Sequence, residues 1–342
     1  MTQKNYTKHF LLLSVLLFVL FFVNISLGSV NIPFKDIFSA LFGNVDVKES
    51  WQTIILNFRL PKALTAIMVG SGLSICGLLM QTLFRNPLAG PFVLGISSGA
   101  SLGVAILILG SSIFGGYFIS NTISNWSLPI AASLGAFLVL SAVIIAANKV
   151  RNTMSILIIG LMFGSLTSAI ISVLSYFAEA SKIQQYIFWN FGSLGNLSWQ
   201  ELSVFGLFYI IGIIACIAII KPLNSFLLGE NYAKSLGVNI KKSRNVILLI
   251  TSVLTGVITA FSGPIAFIGL AVPHVARMIF NTSNHKILIP ATAIIGGVIL
   301  LICDSIAQLP FSEFTLPLNA VTSLFGAPIV IWLLVRKKKI FI

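Results

Sequence analysis

Apolar runs of about 20 residues recur along the chain, at about 10–27, 60–82, 92–110, 128–147, 154–177, 202–220, 245–262, 265–280, 287–303 and 318–335. That is the length a helix needs to cross the hydrocarbon core of a bilayer. The pattern predicts an all-α polytopic membrane protein with about ten transmembrane helices, built as a single transmembrane domain over 1–342. The seventh and eighth runs blur into each other at Ser262-Gly263-Pro264. The first run follows Lys4 and Lys8, as a signal peptide would. Its apolar core is longer than the usual 7–15 residues and no small-x-small site follows, so it reads as a retained first span.

Composition sharpens this picture. Of 342 residues, 57% are hydrophobic and only 8% charged, against about 25% charged in soluble domains. The net charge of +13 raises the question of nucleic acid. The basic residues stand at the ends of apolar runs instead of forming one basic face, which excludes that reading and makes them a topology signal. With the N-terminus inside, Lys35, Lys48, Arg59, Lys62 and Lys182 fall outside, and the other sixteen of the 21 basic residues fall inside. The bias predicts both termini on the cytoplasmic side of the inner membrane.

Chemistry is sparse. Cys76, Cys216 and Cys303 all lie in apolar segments, without metal-ligand spacing or a disulfide framework. No nucleophile–base set appears, which argues against a membrane enzyme. The dipeptide Gly-Lys never occurs, so the chain has no P-loop, and any ATP that drives it is hydrolysed by another polypeptide. No cofactor or metal is expected on this chain.

Five polar or broken stretches stand out. The first, 222–244, is a cytoplasmic loop whose segment "GENYAKSLG" reads as a very short helix. Glu230 suits its first turn and can pair with Lys234. Gly237 suits a left-handed helix end. "LNSFLL" before it reads as a second short turn closed by Gly229. Helices this short are marginal alone and need a surface, and Leu228, Ala233 and Leu236 form an apolar stripe. The segment is either a solvated loop or a docking platform. The second stretch is "RLPKAL", 59–64, with Arg59 and Lys62 at the outer mouth of a span. The pair is either topological punctuation or an attractor for an acidic partner. In the third, Gly95, Gly99 and Gly103 repeat every fourth residue. That smooth face serves static packing, a translocation path or a subunit interface. In the fourth, Pro264 and Pro273 break helices, which is tolerated at membrane depth only where protein or a wet cavity satisfies the backbone. His274 beside Arg277 is more often a structural residue than a proton relay. The fifth is Asp304, an acid at the outer end of a span, which is a site hypothesis by default weighed against a structural hydrogen-bonding role. A secondary transporter would place ion coupling at Asp304 or His274, but the midplane holds almost no ionisable side chain.

Four segments in order, "RLPKALTAIMVGSGLSICGLLMQTLFRNPLAGPFVLGISSGA", "LLGENYAKSLGVN", "GPIAFIGLAVPHVAR" and "LPLNAVTSLFGAPIVIWLL", resemble the FecCD family. Its members are permease subunits of ABC importers for iron–siderophores, haem and vitamin B12. The resemblance covers roughly 50–340. It implies ten spans per subunit and a homodimer or pseudo-dimer around a central path. It also implies two cytoplasmic ABC ATPase subunits carrying ATP and Mg, and an external substrate-binding protein. By resemblance, Leu228, Gly229, Glu230, Ala233, Leu236 and Gly237 dock on the ATPase, and Arg59 and Lys62 meet the binding protein. An iron chelate, ferric siderophore or haem, is favoured over cobalamin. Three positions depart from the family's pattern: Lys62 where a second Arg is frequent, Gln308 where an Arg often follows "D-x-x-A", and "TLPLN" at Thr315 to Asn319 where many members read "ELPVG".

Overall fold

The computed structural model describes residues 6–43, 47–110, 126–150, 153–195, 197–309, 312 and 314–335. Several residues of the charge count, among them Lys4, Arg151 and Arg336 to Lys339, lie outside the described residues. Among the described residues seven helices are long and apolar enough to cross a membrane, and three apolar helices are shorter. The ten predicted runs therefore all appear, but not as ten full-length spans.

The first span is α1, Thr7–Ser26. The polar segment after it holds α2 (Phe34–Leu41) and α3 (Glu49–Ile54). A π-helical turn, Ile55–Arg59, carries α3 without a break into α4, Leu60–Leu83. The second span therefore begins well before the predicted residue 60. Pro61 follows the π turn directly, and its missing N–H leaves a carbonyl of that turn without a helical donor; the Leu56 oxygen there accepts from Trp199 Nε1 at 3.1 Å. A 3₁₀ turn at Pro91–Leu94 leads into the short α5, Ile96–Ile108. Then come α6 (Ser127–Lys149), α7 (Thr153–Phe177), α8 (Ala180–Asn190) and α9 (Trp199–Ala218). The middle loop comprises α10 (Ile220–Phe226) and α11 (Glu230–Ser235). Last are α12 (Ile240–Ser262), α13 (Ile268–Phe280), α14 (His285–Ala307) and α15 (Leu318–Val335).

The spans differ in depth within the bundle. In α4, 83% of the span is buried, and in α12 and α14 67%, whereas α1 and α7 bury only 17%. The centre is thus α4, packed on α14, α13, α12 and α9. A second group, α5 on α6 and α7, joins the first where α6 meets α12.

Small residues make these contacts close. Pro273 inside α13 cannot donate to the carbonyl of Gly269 four residues back. That carbonyl is the one α4 packs on through Gly77, and a Cβ at Gly77 would overlap it. The glycines at 95, 99 and 103 work the same way within the subunit. A Cβ on Gly99 would lie 2.6 Å from the Gly135 oxygen, one on Gly103 would collide with the Ala131 oxygen, and one on Gly95 would lie 2.8 Å from the Gly160 oxygen. Within the subunit all three glycines serve the packing of α5 on α6 and α7.

The blurred boundary resolves into a real break. Residues 263–267 are non-helical, and Phe267 takes φ +66°. The break lies at membrane depth, since the side chain of Phe267 presses on Gly326 in the middle of α15. Its backbone is satisfied by protein, as such a break requires. The Ala266 N–H donates to Asn319 Oδ1 (3.1 Å) and the Ser193 N–H to the Ser262 oxygen (2.9 Å). Pro264 is half-buried in this break and Pro273 is buried inside α13, so Pro273 lines no open path within the subunit.

Candidate functional site: a helical platform and the polar clamps behind it

The platform, α10 and α11, has seven and six residues. Gly229 turns the chain between them at φ +101°. Glu230 stands in the first turn of α11 and Lys234 in its last, the favourable sense for the helix dipole. The far end is a full Schellman motif: Gly237 at φ +81° donates to the Lys234 oxygen and Val238 to the Ala233 oxygen, both at 3.0 Å. That is the left-handed end expected of Gly237. Asn239 then caps α12 by accepting from the Lys242 N–H (3.0 Å).

The platform has two faces. Leu223, Phe226 and Ala233 are buried against the chain itself. Ala233 is therefore a packing residue and leaves the expected docking stripe. Leu228, Tyr232 and Leu236 are 61%, 55% and 57% exposed. Three large apolar side chains in a segment this short form a patch of the kind that marks an interaction site. Sequence reasoning missed Tyr232, although its place on α11 between Leu228 and Leu236 could have flagged it.

The opposite end of the bundle is built differently. Arg59 is 9% exposed. Its guanidinium donates to the carbonyls of Ile25 (2.9 Å), Ser26 (3.0 Å) and Val30. The last carbonyls of α1 have no partner within the helix, and a cation at that negative end is favourable. A Cβ at Gly28 would stand 2.7 Å from the guanidinium. Arg59 is thus occupied by its own chain. Lys62, 22% exposed in its side chain, pairs with Asp304 at 3.2 Å. The other Asp304 oxygen accepts from Asn24 Nδ2 (2.9 Å) and Gln308 Nε2 (2.7 Å). Gln308, one of the departures from the family's pattern, is therefore an internal partner of Asp304. Asp304 takes the structural hydrogen-bonding role weighed for it and ties α1, α4 and α14 together. The Lys62–Asp304 pair forms one wall of an open cavity of about 470 Å³, lined otherwise by Phe188, the 191–195 turn, Ala307 and Thr315 to Leu318.

His274 is also a tether. Its Nε2 lies 2.8 Å from the Pro87 oxygen, which pins the loop after α4. Beside it Arg277 donates to Gln81 Oε1 (2.6 Å), and Gln81 Nε2 donates to the Leu270 oxygen (3.1 Å). Among the described residues no carboxylate hydrogen-bonds to this group. Among the described residues no group of three or more His, Cys, Asp or Glu could hold a metal ion.

Comparisons with known proteins agree with this architecture. The FecCD transport family matches residues 16–336. The hemin transport system permease protein HmuU of Yersinia pestis is 34% identical over 331 residues, 96% of each chain. The vitamin B12 import system permease protein BtuC of Escherichia coli O6:K15:H31 is 33% identical over 336 residues, 98% of this chain and 97% of that one. A solved structure of a metal-chelate type ABC transporter in an inward-facing conformation superposes with a TM-score of 0.83 at 29% identity, covering 97% of this chain and all of the other. With the family spanning nearly the whole length, the chain belongs to the FecCD transport family and is a multi-pass permease subunit of the ABC importer class.

Proposed function

We propose that this permease carries an iron chelate, ferric siderophore or haem, across the inner membrane, driven by ATP hydrolysed on two partner ATPase subunits. The observation that carries the coupling half of this reading is the platform: two capped helices, too short to stand alone, that hold Leu228, Tyr232 and Leu236 away from their own chain. Gly229 and Gly237 set the turns that present them, and Glu230 stands in the first turn of α11. The platform and both termini lie in the cytoplasm on this reading, which the basic-residue bias supports. ATP and Mg sit on the partner. Closure of the ATPase pair pushes the platforms, and the bundles of two permease copies rock to alternate access along the path between them.

At the outer face an external substrate-binding protein docks. Arg59 is committed to the end of α1, so the basic contribution on this reading falls to Lys62 at the cavity wall. Haem- and B12-named relatives stand at nearly equal identity, so the chelate is chosen by the breadth of the family, and cobalamin is the alternative.

The test is reconstitution of the permease with its ATPase and binding protein in liposomes, with radiolabelled haemin, a ferric hydroxamate and cyanocobalamin offered in turn. ATP-dependent uptake of an iron chelate in the wild type, abolished by Glu230→Arg or Leu236→Asp in a protein that still inserts, is the expected result. Uptake of cobalamin alone overturns the substrate. Uptake that survives ATP depletion and collapses with the proton gradient overturns the mechanism.

A further inference from the structure

Behind the platform lies a polar bridge that neither the sequence pattern nor the family motifs single out. His285, the first residue of α14, is 1% exposed. Its Nδ1 and its backbone N–H both approach Asn224 Oδ1 of α10, at 2.8 and 2.9 Å. Its Nε2 lies 2.8 Å from Thr82 Oγ1 near the end of α4. Asn224 Nδ2 donates to Asn284 Oδ1 (3.1 Å), and that oxygen also caps α14 through the Lys286 N–H (3.0 Å). Asn224 Oδ1 can only accept, so it fixes the hydrogen of the neutral ring on Nδ1. Nε2 then accepts from the Thr82 hydroxyl, whose single hydrogen is shared between this ring and the Leu78 carbonyl at 2.9 Å. One buried imidazole therefore joins three elements: α10, α14 and α4.

The same two long helices are joined again at their other ends. Lys62 stands twenty residues before Thr82 on α4, about 30 Å along the axis. Asp304 stands nineteen residues after His285 on α14, about 28 Å along the axis. Lys62 and Asp304 form the 3.2 Å ion pair on the wall of the 470 Å³ cavity. Between these clamps α4 and α14 pack along their length.

We propose that α4 and α14 move as one lever clamped at both ends, and that His285 is the positioning residue that couples α10 of the platform to it. The apolar contacts of Leu223 and Phe226 hold α10 in place but are non-directional. The hydrogen bonds through His285 fix its direction, so that a push on α10 is delivered to α4 and α14 and not absorbed by sliding. The lever ends at the outer cavity, which gives platform motion a direct route to the far face. What drives the lever rests on the importer reading above. The clamp itself does not.

Two measurements on the full chain in lipid nanodiscs test this. In the first, spin labels at Ser235 on α11 and Lys286 on α14 report the distance between platform and lever, with no ATPase present. The wild type gives a narrow distribution. Asn224→Ala broadens it, and Asn224→Asp, which retains both acceptor bonds to His285, restores it. In the second, the permease is assembled with its two ATPases and binding protein. The readout is substrate moved per ATP hydrolysed, using whichever of labelled haemin, ferric hydroxamate or cyanocobalamin the wild type carries. Asn224→Ala and Thr82→Val are expected to lower that ratio about tenfold while ATPase assembly is unchanged, with Asn224→Asp and Thr82→Ser near the wild type. An unchanged ratio in Asn224→Ala and Thr82→Val, or an equal loss in Asn224→Asp and Thr82→Ser, overturns the proposal. If the wild type moves nothing on ATP, the importer reading fails. The label distances then decide the clamp alone, and an unchanged width in Asn224→Ala overturns it.

Discussion

The two ends of the bundle use polar residues in opposite ways. At the end that carries Lys62 and Asp304, every named charge is turned inward: Arg59 onto the carbonyls that end α1, Lys62 onto Asp304, and Asp304 onto Asn24 and Gln308. At the platform end the hydrogen bonds run behind α10, while Leu228, Tyr232 and Leu236 face away from the chain. One end spends its polar groups on holding three helices in register. The other holds a short helix from behind and leaves an apolar face for something else. Basic residues near a membrane boundary therefore do not by themselves mark a docking surface. Burial and internal partners decide.

Removing Asp304 is expected to have the largest effect on stability. Asp304→Leu leaves a partly buried Lys62 without its anion and takes the acceptor from Gln308 Nε2, while Asn24 Nδ2 keeps Ser305 Oγ at 3.0 Å. A loss of about 3 kcal/mol is expected, the low end for breaking a buried pair because Lys62 keeps some solvent. Thermal unfolding in detergent measures it, and Lys62→Met combined with Asp304→Leu should recover most of the loss, since an apolar replacement of the whole pair is often close to neutral. An additive double variant would show that the pair is not the unit described.

Arg59→Met is expected next, at about 2 kcal/mol, for the loss of charge-assisted bonds that satisfy the end of α1. If Arg59→Met instead keeps its stability and loses only binding-protein affinity, Arg59 belongs to an outer docking surface and the contrast between the ends fails.

Leu228→Ser and Leu236→Ser mark the small end of the stability scale. Both side chains are more than half exposed, so each change should stay within about 0.5 kcal/mol. Uptake by the reconstituted complex should nonetheless fall at least about tenfold, because buried apolar anchors carry much of the energy of an interface. A variant that unfolds instead would place these residues in the core of this chain.

The number and order of apolar segments, the short helices of the platform and the left-handed end at Gly237 were all legible in the sequence. They rest on local rules: length against bilayer thickness, caps and dipole-matched charges. The break at 263–267 was legible as a blur at Gly263-Pro264, because those residues disfavour a continuous helix. The continuation of α3 into α4 was not, since a π turn leaves no compositional mark.

What the sequence by itself determined was class and outline: a membrane bundle without a P-loop, one capped polar platform, and the four segments of the FecCD pattern. What only the tertiary structure decided was the partner of each polar group. Gly95, Gly99 and Gly103 meet α6 and α7, Ala233 turns inward, Arg59 serves the end of α1, and His285 reaches both Asn224 and Thr82, 61 and 203 residues away. The physical reason is range. Caps, turns and span lengths are set by neighbours within a few residues, whereas a buried polar side chain takes whichever partner packing brings within 3 Å, and no periodicity along the chain encodes that meeting.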